Sequence, residues 1–110
     1  MIRAYEVMII VDPEVDDAGV KQVVTRVGEL VQAENGRVVN LDNWGRRRFT
    51  HPIKRKHEGT YLIFEIVTPA TNLDALDRQM RLADDTIRHK IIRLPEREAT
   101  KRGLLGATAG

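Results

Sequence analysis

Six lysine or arginine side chains and two histidines lie within one stretch of nineteen residues, which reads NWGRRRFTHPIKRKHEGTY from Asn43 to Tyr61. The whole chain of 110 residues carries 18 Lys and Arg against 16 Asp and Glu, so a third of its positive charge is concentrated here. Cations at this density bind phosphates in a salt-sensitive way, and the planar fork of an arginine can hold two phosphate oxygens at once. The stretch therefore predicts an RNA-binding surface formed by Arg46, Arg47, Arg48, Lys54, Arg55 and Lys56.

Three aromatic residues, Trp44, Phe49 and Tyr61, are interleaved with these cations. Aromatic rings beside positive charges can stack on the bases of single-stranded nucleic acid. The same rings can also be core residues of a hairpin whose charges are solvated. Both interpretations are open at the level of the sequence: the charge cluster as a whole favours RNA, whereas each single ring favours the core.

The residue types that usually form an active site are absent or poorly spaced. The chain has no cysteine and no serine, which excludes disulfides, thiolate metal sites and both nucleophiles. His51, His57 and His89 do not have metal-ligand spacing. The adjacent carboxylates Asp16-Asp17 and Asp84-Asp85 suit helix capping and turns, because neighbouring side chains do not face one site. The sequence thus predicts no enzyme, no cofactor, no metal ion and no small-molecule substrate.

The cationic stretch is preceded by a strand and a helix. Residues 4–11 are rich in β-branched side chains and predict a strand that ends at Asp12-Pro13. A helix capped by Asp16 or Asp17 follows and stops at Asn35-Gly36. Its apolar face has helical spacing and consists of Val20, Val23, Val24, Val27, Leu30 and Val31.

The cationic stretch itself is predicted to be a long hairpin. Its first strand begins at Arg37 and ends near residue 53, and its second strand covers residues 60–67. Residues 54–59 are polar, include a glycine and form the turn. Gly45, inside the first strand, indicates a β-bulge.

A second helix and a last strand follow the hairpin. Thr71 or Asn72 is expected to cap the helix, and residues 87–94 form the strand. The apolar stripe of this helix consists of Leu73, Leu76, Met80 and Ala83. The order βαββαβ is typical of the α+β ferredoxin-like sandwich, in which two helices cover one face of a four-stranded antiparallel sheet.

This architecture leaves the other face of the sheet uncovered. Apolar residues alternate onto both sides of the first and third strands, so the uncovered face is also substantially apolar. Either a protein partner meets it, or the hairpin or the chain end folds over it. We expect partner contacts at Met8, Ile10, Leu62 and Phe64. Residues 1–94 are predicted to form the RNA-binding domain, and residues 95–110 a flexible C-terminal tail.

Charge and hydropathy restrict the compartment and the partners. Residues 1–36 hold three bases and seven acids, whereas residues 37–61 hold seven bases and two acids. Such polarity is typical of a protein that turns one face toward a polyanion. No apolar run approaches the ~20 residues that a membrane span needs, and no signal-peptide pattern is present. The sequence therefore predicts a cytoplasmic protein without a membrane partner.

Three segments resemble one known family, the bacterial protein six of the small ribosomal subunit. They read YEVMIIVDP, NWGRRRFTHPIKRKHEGTY and LDRQMRLADDTIRHKIIR, and the resemblance extends from about residue 3 to residue 94. It implies a ferredoxin-like protein of the ribosome without catalytic activity or cofactor. It also implies binding to the central domain of small-subunit ribosomal RNA as a heterodimer with small-subunit ribosomal protein eighteen.

The resemblance further implies which residues contact RNA. These are Arg3, Tyr5, Arg47, Arg48, Lys54 and Arg88. Where this chain has Phe49-Thr50-His51, the family often has leucine, alanine and tyrosine, so no role is assigned to His51. Two alternatives share the fold class: a regulatory or ligand-binding domain that forms a homo-oligomer through its open sheet, and a small enzyme that hydrolyses phosphate esters or acyl phosphates. The charge of the hairpin favours RNA over both.

Overall fold

The computed structural model describes residues 1–105 and has the predicted βαββαβ order followed by one further short helix. The elements are β1 (Arg3–Val11), α1 (Asp17–Ala33), β2 (Arg37–Ile53), β3 (Lys56–Thr68), α2 (Asp74–Leu82), β4 (Thr86–Leu94) and α3 (Glu96–Lys101). The four strands form one antiparallel sheet in the order β2-β3-β1-β4. Helices α1 and α2 pack on one face, which confirms the ferredoxin-like fold.

The core lies between this face of the sheet and the two helices. Strand β1 is central, and its alternation sends every second side chain toward the helices. The register places Val7 opposite Phe64 and Ile9 opposite Leu62, so both strands contribute to one apolar layer. The strand residues of this layer are Tyr5, Val7, Ile9, Val11, Leu62, Phe64 and Ile66, and all are buried.

Helix α1 covers most of that layer. The Asp16 side chain accepts a hydrogen bond from the Gly19 backbone N–H at 2.9 Å, which confirms an aspartate cap. Asn35 has φ of 60° just after the helix, where a left-handed residue commonly ends a helix. The buried residues of the helix are Val20, Val23, Val27 and Val31, while Val24 and Leu30 are partly buried at the edge of the core.

Helix α2 begins one or two residues later than the sequence indicated, which offered Asn72 or Thr71 as its cap. Its N-cap is Leu73, without a side-chain cap, so neither Thr71 nor Asn72 caps it. The Asn72 side chain instead accepts a hydrogen bond from the Asp74 backbone N–H at 3.1 Å. The position of Leu73 is set by packing, because its side chain is buried in the core.

The hairpin turn is shorter than predicted. Strand β3 starts at Lys56, so only Lys54 and Arg55 connect the strands, with φ of 48° and 66°. Two consecutive positive φ values define a type I′ turn, whose twist matches that of the flanking strands. Gly45 has φ of 76° at a shift in the strand register, which confirms the predicted bulge.

The segment after Leu94, expected to be a flexible tail, contributes to packing as far as Leu105. Helix α3 crosses the second face of the sheet, the face away from α1 and α2. Its Ala99 and the following Leu104 are buried against Ala4 and Val67. The apolar residues of this segment therefore close one end of the second face, and residues 106–110 of the expected tail lie outside the described part of the chain.

A pair of substitutions tests which face of β3 holds the core. Phe64 is fully buried under the helices, whereas its neighbour Ile63 is partly exposed on the second face. We expect Phe64→Ala to lower the free energy of unfolding by about 3–5 kcal/mol, because it leaves a cavity. Ile63→Ala should cost clearly less. Urea denaturation followed by circular dichroism measures both, and equal losses would show that the faces are misassigned.

The contact between α2 and β4 predicts a pH effect. His89 Nε2 lies 2.7 Å from Asp77 Oδ1, and Arg81 pairs with the same carboxylate. The hydrogen bond from His89, reinforced by Arg81, lowers the pKa of Asp77 below its ordinary value of 3.8. Because the folded-state pKa is the lower one, this contribution to stability is complete above about pH 4 and is lost as the pH falls through the folded pKa. Carboxyl NMR titration should place the midpoint below 3.8.

The same titration in two variants identifies the cause. His89→Ala should move the Asp77 midpoint upward, whereas His51→Ala, in the exposed part of the hairpin, should leave it unchanged. A parent midpoint at or above 3.8 would contradict the assignment.

Candidate nucleic-acid interface

The six cations of the hairpin are not equivalent, because two of them form ion pairs with carboxylates of the protein itself. Arg46 donates from Nη1 to Glu58 Oε1 at 2.9 Å and from Nη2 to the Pro13 carbonyl oxygen at 2.7 Å. Lys56 Nζ lies 3.4 Å from an Asp12 carboxylate oxygen and 3.8 Å from one of Glu14. These contacts fix the hairpin to the loop that follows β1.

The remaining four cations form no ion pair with a carboxylate among residues 1–105. Arg48, Lys54 and Arg55 are exposed, and their side chains form no hydrogen bond or ion pair with any residue among 1–105. Arg47 is also exposed, but its Nε donates to the Trp44 carbonyl oxygen at 3.3 Å and its guanidinium lies 5.8 Å from the centre of the Trp44 ring, a cation–π distance. The pairing of β1 with β3 stops at Thr60, so the residues that carry these cations extend past the end of β1. A polyanion can therefore reach Arg48, Lys54 and Arg55 without displacing a side-chain contact of the protein.

The three aromatic residues form one cluster on the second face. The Trp44 and Tyr61 rings stack with centroids 6.1 Å apart, and Phe49 meets Tyr61 edge-on at 6.2 Å. Trp44 is 48% exposed, whereas the other two rings are partly buried. A Cβ at position 59 would lie 2.6 Å from Ile10 Cγ2 and 3.2 Å from Phe49 Cζ, so this packing requires glycine.

Three of the residues predicted to contact RNA lie outside the hairpin. Tyr5 is 3% exposed in the core and donates its hydroxyl hydrogen bond to the Ala70 carbonyl oxygen at 3.0 Å, so its assignment to RNA is wrong. Alternation on β1 turns it toward the helices. Arg3 is partly buried, and its Nη1 donates to the Pro69 carbonyl oxygen at 3.1 Å. Arg88 is exposed on β4, opposite Ile10.

Lys90 was missed by the sequence analysis. It lies opposite Met8 on the second face, two residues from Arg88, and both side chains are exposed. The alternation of β4 was the available signal, because residues two apart on a strand share a face. Together these two residues form a second, smaller cationic surface at the edge of the sheet.

The predicted partner residues divide between the two faces. Leu62 and Phe64 are fully buried in the helix-covered core and cannot meet a partner, which corrects their assignment. The register pairs Met8 with Ile63, so it is Ile63 that lies beside Met8 on the second face, in place of Leu62 and Phe64. Met8 is partly buried on that face, and Ile10 is only 2% exposed because the hairpin packs beside it.

The carboxylate pairs considered for catalysis have structural contacts. Asp16 caps α1, and Asp85 forms an ion pair with Arg26 at 3.1 Å. Among residues 1–105, no three His, Cys, Asp or Glu side chains come together as a metal site.

None of the helices formed by residues 1–105 has the length and apolar composition that a membrane-crossing segment requires.

Comparison with known proteins identifies the family of the chain. A family model described as "Ribosomal protein S6" matches residues 4–93. A protein of Carboxydothermus hydrogenoformans named "Small ribosomal subunit protein bS6" is 39% identical over 93 residues, which cover 84% of this chain and 97% of that protein. A protein of the same name from Streptomyces griseus is 36% identical over 92 residues, covering 84% and 96%.

A solved structure supports the same assignment. The crystal structure of 30S ribosomal protein S6 from Thermotoga maritima superposes with a TM-score of 0.84 at 26% identity, covering 96% of this chain and 99% of that one. The chain therefore belongs to the ribosomal protein S6 family and is a non-enzymatic structural constituent of the small subunit of the cytoplasmic ribosome.

Proposed function

We propose that the chain binds the central domain of small-subunit ribosomal RNA together with small-subunit ribosomal protein eighteen. The observation that carries the RNA contact is the set of exposed, unpaired cations at the end of the hairpin, Arg48, Lys54 and Arg55. Each can approach a phosphate without breaking an ion pair. Such contacts provide affinity that depends on salt and not on base sequence.

Two other cations of the hairpin, Arg46 and Lys56, hold it in place. The contacts of Arg46 with the Pro13 carbonyl oxygen and of Lys56 with Asp12 tie β2 and β3 to the body of the protein. A hairpin fixed in this way loses less conformational freedom when RNA binds. Two of the six charges thus hold the others in position.

The backbone of the turn supports the same role. Lys54 and Arg55 both adopt left-handed φ values, which asparagine and glycine tolerate far better. Left-handed backbone costs about 1–2 kcal/mol per ordinary L-residue. Strained residues cluster at functional sites, and here the strain places two cations at the outermost point of the hairpin.

The second cationic surface lies on the opposite edge of the sheet. Arg88 and Lys90 of β4 are exposed on the second face. They are suited to a further phosphate contact, whereas Arg47 stays close to the Trp44 ring and combines charge with stacking.

The isolated chain offers few base-reading groups, so a partner is expected to supply the remaining affinity. Trp44 is the single aromatic side chain on the second face with about half its surface exposed. The second face also exposes apolar area at Ile92. An apolar face of this kind fits a protein neighbour, which is the place we assign to protein eighteen.

The salt dependence of RNA binding tests the three free cations. The triple variant Arg48→Gln, Lys54→Asn, Arg55→Gly removes them and leaves a turn sequence suited to the observed backbone. In the presence of protein eighteen, we expect the slope of log K against log salt to flatten by about two to three units, since each phosphate contact contributes roughly −0.7 to −0.9. Filter binding to a central-domain RNA fragment at five salt concentrations measures this slope.

A matched variant removes three exposed cations elsewhere: Lys21→Gln, Arg78→Gln and Arg97→Gln. Its slope should stay close to that of the parent. If both triple variants remain folded and flatten the slope equally, the effect reports net charge alone and the hairpin has no special role.

The turn itself should show opposite effects on stability and binding. The double variant Lys54→Asn, Arg55→Gly relieves the left-handed strain, so we expect the free energy of unfolding to rise by about 1 kcal/mol. RNA affinity should fall at the same time, because two cations are lost. Urea denaturation and filter binding on the same samples measure the two quantities. A loss of stability would mean that the turn is not strained.

A further inference from the structure

We infer that a groove on the second face binds an arginine-bearing apolar segment of a protein partner, and that Arg102 occupies its polar end in the free chain. The inference deepens the proposed partnership with protein eighteen and rests on it for the identity of the partner.

The groove is apolar along one side and acidic along the other. It has a volume of about 530 Å³ and lies between β1, β2 and β3. Its apolar lining includes Trp44, which is 48% exposed, and Ile63. Its acidic lining is Glu6, Asp42 and Glu65. A side chain with an apolar stem and a cationic end matches this combination.

Arg102 shows how a guanidinium fits the acidic side. Its Nη1 donates to Glu6 Oε1 and to Glu65 Oε2, each at 3.1 Å. The other oxygen of Glu65 accepts from Asn40 Nδ2 at 2.8 Å, which orients the carboxylate. Three carboxylates against one guanidinium leave two negative charges, so the groove attracts further cations even when Arg102 is in place.

The segment that carries Arg102 is weakly attached. Helix α3 has six residues, and its N-cap, Pro95, makes no side-chain capping bond. So short a helix has little stability of its own. Among the residues of α3 and the chain up to Leu105, only Ala99 and Leu104 are buried. A partner segment that supplies an arginine can therefore replace Arg102 without disturbing the main core.

Charge decides which kind of partner fits. An RNA phosphate would be repelled by the excess of carboxylates in the groove. A second copy of this chain, docked about a two-fold axis, would bring one acidic groove against another, which is unfavourable. A basic protein segment is attracted. The positions of the two surfaces agree with this division, because the free cations lie on the hairpin and the carboxylates lie in the groove.

The chain contains its own reporter for the test. Trp44 is the only tryptophan and lines the groove, so its fluorescence responds to occupancy. Purified protein eighteen is titrated into the full chain and into three folded variants: Glu6→Gln/Glu65→Gln, Arg102→Ala, and the control Glu29→Gln/Asp84→Asn. Glu29 and Asp84 are exposed carboxylates that do not line the groove.

We expect that removing the two glutamates and removing Arg102 change the affinity for protein eighteen in opposite directions. The Glu6/Glu65 variant should bind at least about tenfold more weakly, since an arginine from the partner loses its acceptors. The Arg102→Ala variant should bind several-fold more tightly, because the acceptors are vacant. The control should match the parent. Parent-like affinity in the Glu6/Glu65 variant overturns the groove, and unchanged or weaker affinity in Arg102→Ala overturns its occupation by Arg102.

A peptide separates the groove from the identity of the partner. A blocked hexapeptide of alternating arginine and leucine is added to the Arg102→Ala chain and to the same chain with Glu6→Gln/Glu65→Gln. Saturable change of Trp44 fluorescence in the first and at least several-fold weaker binding in the second support the groove. If the peptide binds in this way while protein eighteen does not bind the parent, the proposed pairing with protein eighteen is wrong, and the groove is still supported as a binding site. If neither probe changes the fluorescence, the groove is overturned.

Discussion

The rest of the structure depends on the placement of β1 at the centre of the sheet, hydrogen-bonded to β3 on one side and β4 on the other. Both edges of a central strand are hydrogen-bonded. What remains to be decided is which of its side chains face the helices and which face the other side of the sheet. The odd-numbered residues from Tyr5 to Val11 face α1 and α2 and make the core. The even-numbered residues Glu6 and Met8 thereby become part of the second face. A shift of one residue would exchange the two sets and would bury a glutamate under the helices.

The hairpin combines anchoring and binding in one short stretch. Strands β2 and β3 run past the end of β1, where no third strand supports them. The contacts of Arg46 and Lys56 to acceptors around the loop after β1 provide that support. An isolated two-stranded ribbon is marginally stable in water, so these ion pairs and the aromatic cluster matter more here than surface contacts usually do. The stretch is dense in charge because some of its cations anchor the hairpin and the others face a polyanion.

The separation of charge gives the molecule two unlike surfaces. Free cations occupy the tip of the hairpin and the second face of β4, while carboxylates collect in the groove between β1, β2 and β3. Helix α3 covers the end of the second face next to the groove and neutralises part of its charge through Arg102. A small protein that joins a large assembly needs distinct surfaces for nucleic acid and for protein. In the proposal, the sign of the charge distinguishes them.

The sequence by itself determined the order of the elements, the fold class, the Gly45 bulge and the position of the cationic hairpin. Those features depend on local periodicity, on glycine and on composition, which are readable along the chain. Only the tertiary structure decided that Tyr5, Leu62 and Phe64 are core residues, because that assignment needs the register between β1 and β3.

The tertiary structure also decided the roles of the hairpin cations and of the segment after Leu94. Arg46 and Lys56 are held by acceptors that include residues more than thirty positions away, and Arg102 reaches Glu6 across almost the whole chain. Contacts between residues so far apart leave no periodic trace in the sequence. They arise only when the sheet brings those residues together, which is why composition located the charge and three-dimensional packing decided which part of it is free to bind.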